Sequence, residues 1–239
     1  MVYGHLQKGG EKNQMYDLKS SIKKDIGIII LIILMFIIGI FSYPYFPEKI
    51  PMHWNFKGEI DRYGSKFEGL FGIPLMSLGF YLLFLVLPYL DPKKENYQKF
   101  EKVYQIIKYA YIFLLFILQM TILIVTLGGP KDLIPKITPT LVGVIFIILG
   151  NYMPRIKPNW FVGIRTPWTL SKEEVWKRTH RFGGYIFIIG GILIILAGIL
   201  PPLINLIVLI LSILLMAFGT ILYSFIIYKK LERKRKEKR

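Results

Sequence analysis

Cysteine is absent from the 239 residues. Disulfides, thiolate nucleophiles and cysteine-ligated metals are therefore excluded. Histidine is nearly absent: only His5, His53 and His180 occur. Three are too few for a multi-histidine centre inside a membrane, and no metal or cofactor is expected. The chain has no phosphate-binding glycine loop, dinucleotide fingerprint, His-Glu-x-x-His or Gly-x-Ser-x-Gly. Nucleotide hydrolysis, zinc proteolysis and serine-hydrolase chemistry thus lack a sequence basis. Charge is scarce within the long apolar runs, where Lys108 and Arg181 lie near run ends. Intramembrane charges mark ion and proton pathways, so their scarcity argues against proton-coupled transport. Gln119, Asn151 and Asn205 are the polar exceptions and are expected to hydrogen-bond between helices.

What is abundant is hydrocarbon. The chain is 54% hydrophobic with a mean hydropathy of +0.48, beyond the roughly 45–50% of soluble domains. Its net charge of +16 lies between and beyond apolar runs rather than on one face, so the expected partner is the lipid bilayer and no direct nucleic-acid contact is expected. Apolar runs cover residues 26–43, 70–90, 106–127, 137–153, 181–200 and 203–228. Each is near the length that crosses roughly 30 Å of hydrocarbon as a helix. Open sheets leave unpaired edges in lipid. The fold class is therefore an all-α integral membrane protein, a bundle of six transmembrane helices.

The first run does not read as a cleavable signal: it is long, an extended tail precedes it, and Tyr-Pro-Tyr-Phe-Pro follows it. Residues 1–25 form a polar N-terminal tail, helical from Asp17. Residues 26–90 form a helical hairpin enclosing the structured loop 44–69. Residues 91–136 hold the third helix and its flanks, 137–228 a three-helix region with the basic loop 154–181, and 229–239 a basic tail. Of the Lys and Arg residues, 25 fall on one set of alternating connections and 6 on the other. The positive-inside rule then predicts a multi-pass cell-membrane protein with both termini and loop 154–181 cytoplasmic and loop 44–69 outside. The tail is expected to anchor that orientation against anionic headgroups.

The outer loop is too rich in special residues for a spacer. Pro44, Pro47 and Pro51 keep its entry extended; residues 52–56 read as a short strand and Lys57-Gly58 as a turn. His53, Trp54, Asn55, Glu59 and Asp61 are candidates for ligand binding above the mouth of the bundle. Two other readings stand beside that one. Trp54 and Tyr63 can anchor the loop at the headgroups while His53 and Asn55 satisfy local backbone. Alternatively, one histidine and two carboxylates can hold a metal, although spacings of six and eight residues are a poor signature.

In the inner loop, Pro154 and Pro158 stop the fourth helix. The stretch 159–168 is too apolar to be free and too short to span, so it is expected to lie in the interface or fold back under the bundle. Ser171-x-x-Glu174 fits a capping box, with Glu173 and Glu174 favoured by the helix dipole, so a helix is expected to start near Lys172. Trp176, His180 and Gly184 then share a face. Arg165, Trp168, Trp176, Arg178 and His180 are candidates for cytoplasmic docking or interfacial anchoring, with Arg165 bonded to helix C-terminal carbonyls in the second case. Gly184, Gly191 and Gly198 recur every seven residues and permit close helix packing.

The stretch GNYMPRIKPNWFVGIRTPWTLSKEEVWKRTHRFGG at 150–184 closely resembles the signature of the SdpI family, immunity proteins against a sporulation-delaying peptide toxin. FPEKIPMHWNFKGEIDRYGSK at 46–66 resembles the domain of unknown function that often precedes it. The resemblance spans about residues 30–228. It implies binding rather than chemistry: a secreted toxin peptide met by the outer loop, and a transcriptional repressor met by the basic inner loop. The residues leave two further classes open, a transporter or channel for a small molecule, lipid or peptide, and a membrane enzyme with an external site at His53, Glu59 and Asp61.

Overall fold

A computed structural model describes residues 16–237. The proposed tail residues 1–15, and residues 238–239 of the basic tail, lie outside it. Among the described residues, six helices are long and apolar enough to cross a membrane, and the protein is an all-α polytopic membrane protein. A short helix α1 (Leu18–Lys24) leads into α2 (Ile26–Ser42). A β-hairpin follows, β1 (Lys49–Trp54) and β2 (Ile60–Ser65), then α3 (Lys66–Leu90), the single turn α4 (Asn96–Lys99) and α5 (Glu101–Thr126). The second half holds α6 (Leu133–Tyr152), the short α7 (Pro167–Ser171), α8 (Glu173–Ala197) and α9 (Pro202–Glu237).

The spanning helices form two groups of three. Helices α2, α3 and α5 pack on one another, α8 packs on both α6 and α9, and α5 against α6 joins the groups. Ile28, Ile32, Met35, Tyr81, Leu85, Ile112 and Leu115 fill the first group. The second uses small residues instead. A Cβ built on Gly191 would meet the Gly143 carbonyl oxygen at 2.5 Å, and one on Gly184 would meet that of Gly150 at 2.8 Å. Helices α6 and α8 therefore touch backbone to backbone along a seven-residue repeat, the close approach that packing in lipid favours. Gly198 faces the Pro139 ring. Outward, Ile30, Ile33 and Ile37 of α2 and Leu203, Leu211 and Phe218 of α9 are exposed, as lipid-facing side chains must be.

Helix ends depart from the apolar runs. Helix α5 begins at Glu101 rather than 106, α6 at Leu133 rather than 137, and α9 continues through Glu237, while α8 starts at Glu173, beside the expected Lys172, and runs on into the fifth span. A helix needs apolar side chains only in hydrocarbon; past that depth, good helix formers such as Glu, Lys and Arg continue it. The Asp17 carboxylate caps α1, accepting from the Lys19 and Ser20 N–H groups. Loop 44–69 is shorter than expected. Pro44 lies in a 3₁₀ turn rather than extended chain, and residues 66–69 already belong to α3, where the Ser65 hydroxyl accepts from the Glu68 N–H at 3.1 Å. The Ser171–Glu174 capping box does not form. Thr166 and Thr169 make the box at the start of α7, and Ser171 donates back to the Trp168 carbonyl.

Lys108 is not a run-end charge. It is fully buried, and its ammonium pairs with the equally buried carboxylate of Asp25 at the α1–α2 junction. Ser21 joins the pair, bridging to the Tyr16 hydroxyl at 2.7 Å. Gln119 is also buried; its amide donates to the Met35 and Leu70 carbonyls at 3.2 and 3.4 Å, tying α5 to α2 and α3.

Candidate functional site

The β-hairpin organises one end of the molecule. Its turn is built on Asn55, whose Oδ1 accepts from the Lys57 and Glu59 N–H groups at 2.9 and 3.0 Å, while its Nδ2 donates to Glu59 Oε2 at 3.0 Å. Gly58 adopts φ +83°, a conformation only glycine takes without cost. Across the strands, His53 Nδ1 meets Asp61 Oδ1 at 2.6 Å, where the pairing register is irregular. Trp54 Nε1 donates to the Lys131 carbonyl at 3.0 Å, pinning the hairpin to the α5–α6 connection. Phe46 and Ile50 are buried against Leu70, Ile122 and Leu123.

Under the hairpin lies a cleft of about 460 Å³. Its walls come from both helix groups: Ile73 of α3, Leu118 and Ile122 of α5, Pro135 and Thr138 of α6, Asn205 and Leu209 of α9. Residues 52–56 roof it. Of the five residues singled out in the loop, His53, Trp54 and Asn55 line the cleft, while Asp61 and Glu59 stand on or before β2 and back His53 and Asn55. The histidine and two carboxylates do not converge, because Glu59 is engaged by Asn55. Among the described residues no group of three or more His, Asp or Glu gathers as metal ligands do. Asn205 was expected to bond another helix. Instead its side chain makes no hydrogen bond among the described residues and its amide lines the cleft, since Pro201-Pro202 start α9 there and bring it to the mouth.

The basic end is a closed structure. Asn159 is fully buried and folds the chain around itself: Oδ1 accepts from the Phe161 and Val162 N–H groups at 2.9 and 2.6 Å, and Nδ2 donates to the Lys157 and Val162 carbonyls. Asp91, past the end of α3, accepts from the Trp160 N–H at 2.8 Å and the Tyr97 hydroxyl at 3.1 Å. Burial and the Asp91 charge push the Tyr97 hydroxyl well above its ordinary pKa. Asn96 Nδ2 donates to the Pro158 carbonyl at 2.7 Å. Tyr16, Tyr97, Phe100, Tyr104, Ile156 and Trp176 close one apolar cluster across the two helix groups.

Trp176 and His180 are therefore not on a surface: they are 1% and 0% exposed. Their rings stack at 4.0 Å, and Trp176 Nε1 donates to the Ile156 carbonyl at 2.9 Å. His180 Nε2 accepts from the Ile164 N–H at 3.1 Å, and Nδ1 donates to the Trp176 carbonyl at 2.9 Å. That polarity is what the neutral Nδ1–H ring offers. Gly163, at φ +108°, lies over the ring, where a Cβ would collide with Nε2. The aromatic spacing fitted an amphipathic surface helix equally well; only the folded-back segment 156–166 covers the face. Trp168 packs on Phe225 at 5.1 Å. Arg165 is exposed and donates to the Trp160 carbonyl within the loop at 2.8 Å, not to a helix end. Arg178 is exposed and pairs with Glu174 at 2.6 Å. Asp91 and Asn159 escaped the sequence reading, since a lone Asp and a lone Asn between helices carry no spacing signal.

Two family models match the chain at these two ends. The SdpI/YfhL protein family matches residues 155–224, from the inner segment through most of α9. A domain of unknown function, DUF1648, matches residues 30–78, covering α2, the hairpin and the start of α3. The chain is 35% identical over 167 residues to the Immunity protein SdpI of Bacillus subtilis (strain 168), an alignment covering 70% of this chain and 77% of that protein. No solved structure matches it.

Proposed function

The chain belongs to the SdpI/YfhL family, and from that premise we propose that it confers immunity to a secreted antimicrobial peptide by capturing it in the cleft beneath the β-hairpin. The observation that carries the reading is the cleft itself. It is apolar along its walls, it is shared by both helix groups, and its roof and floor offer polar groups at His53, Asn55 and Asn205. A membrane-active peptide brings apolar side chains that seek hydrocarbon and backbone groups that must be hydrogen-bonded there. The cleft provides for both. Glu59 and Asp61 act by holding Asn55 and His53 in place.

The distribution of basic residues supports a cytoplasmic basic end and an external hairpin. On that orientation the segment 154–184 faces the cytoplasm, with Arg165, Arg178 and the edge of Trp168 at its surface. Those side chains are the docking face for a transcriptional repressor, and Trp176 and His180 set the shape that presents them. The outer loop and the cleft walls beneath it meet the peptide, and the segment 154–184 carries its presence inward.

Expression in a toxin-sensitive strain tests the capture step. Leu209→Trp narrows the cleft and should reduce protection at an unchanged membrane level. Full protection by that variant, at wild-type abundance, would remove the cleft from the mechanism. Arg165→Ala together with Arg178→Ala should leave protection intact and abolish recruitment of the repressor to the membrane fraction. Undiminished recruitment would refute the docking face.

A further inference from the structure

A second cleft, about 480 Å³ in volume, opens between α8 and α9 at the basic end. One stripe of α8 forms its length: Glu174, Arg178, Arg181 and Tyr185, at helical spacings that share a face. The charges along it are unequal in their engagement. Arg178 is held by Glu174 at 2.6 Å and Lys177 by Glu173 at 3.0 Å. Arg181 is exposed and makes no ion pair or hydrogen bond among the described residues. An unpaired guanidinium at the rim of a cleft is a fork for an oxyanion.

The other wall is aromatic. Phe182 and Tyr223 stack at 4.1 Å and 10°, and Tyr185, 65% exposed, continues the stripe one turn further along α8. From Gly183 onward α8 is uncharged to its end. The cleft thus passes from cationic to apolar at the depth where the helix enters hydrocarbon. A soluble anion would use only its first half.

We propose that this cleft binds an anionic phospholipid, the phosphate on Arg181 and the acyl chain lying over Tyr185 and the Phe182–Tyr223 stack. Charge complementarity selects the headgroup, and the aromatic continuation selects a ligand with a hydrocarbon tail over free phosphate. Because α8 packs on both α6 and α9, such a lipid also fills the outer seam between two helices of one group.

Native mass spectrometry of the purified full chain reads the result directly, with phosphatidylglycerol, phosphatidylcholine and glycerol phosphate as probes. Phosphatidylglycerol should be retained in preference to the other two. Arg181→Gln should weaken its retention roughly tenfold, and Arg181→Lys should recover part of the loss. Tyr185→Ala should weaken phosphatidylglycerol as well. The two exposed positions lie on the helix surface, and an unchanged melting temperature verifies the fold. Retention of phosphatidylglycerol by Arg181→Gln at the wild-type level overturns the proposal, as does equal retention of phosphatidylcholine. Glycerol phosphate bound as tightly as the lipid would reassign the cleft to a soluble phosphate ligand.

Discussion

The Asp25 carboxylate and the Lys108 ammonium meet at zero exposure, joining the start of α2 to α5 across 83 residues of chain. Neither charge has solvent. Ser21 completes one side of the pair, and Asp25 Oδ1 remains without a partner. Each ion is tolerable there only because of the other.

Removing one partner should therefore be far worse than removing both. Lys108→Met or Asp25→Leu alone is expected to cost about 3–5 kcal/mol, whereas the two together should fall near wild type. Denaturant titration of the four proteins in one detergent provides the cycle. Single variants as stable as the parent would mean that water reaches the pair.

The hairpin should loosen when its tie to the α5–α6 connection is cut. Trp54→Phe keeps the ring and deletes the 3.0 Å bond to the Lys131 carbonyl, a loss of about 1 kcal/mol. Faster hydrogen exchange at residues 49–65 and 128–132 is the expected signature, together with reduced protection against toxin. Unaltered exchange at both segments would show that the bond does not hold the roof.

The α6–α8 contact predicts a sharp contrast between two glycines. Gly191→Val drives a side chain into the Gly143 carbonyl and should cost about 1–3 kcal/mol by overpacking. Gly219→Ala meets nothing closer than 3.8 Å and should leave the melting temperature unchanged or raise it, since alanine is the better helix former. Equal effects at the two sites would contradict the backbone contact.

Alkaline pH should destabilise the fold. Burial, foremost, pushes the Tyr16 hydroxyl up from 10.0 to about 12. The unfolded chain ionises first, so this stabilisation is complete below pH 10 and is lost as pH rises towards 12, at a slope of at most about 1.4 kcal/mol per pH unit. Tyr16→Phe should flatten the fall in denaturation midpoint between pH 9 and 11. An identical fall in the variant would assign the sensitivity elsewhere.

Much of this architecture is written in local pattern. Six apolar runs have one solution in lipid, and Lys57-Gly58 after a strand-like segment marks the turn, although β1 sits at Lys49–Trp54 rather than 52–56 and its partner β2 went unread. Interactions at a distance left weaker traces. Asp25 and Lys108 each read as a flanking charge, because nothing local tells a buried ion from a solvated one. Ser171-x-x-Glu174 matched a capping pattern that Thr166 and Thr169 satisfy instead, with threonine at the position where glutamate is the usual signal. Trp176 and His180 looked like surface residues because the segment covering them is irregular and has no period. At the hairpin the special residues were legible, but not their pairing: that His53 goes with Asp61 and Asn55 with Glu59 depends on strand register.

In mechanical terms the two helix groups are a pair of tongs. The aromatic cluster around Tyr97 and Trp176 rivets the arms at the basic end, the α5–α6 contact is the pivot, and the hairpin spans the open jaws. An object between the jaws bears on both arms at once.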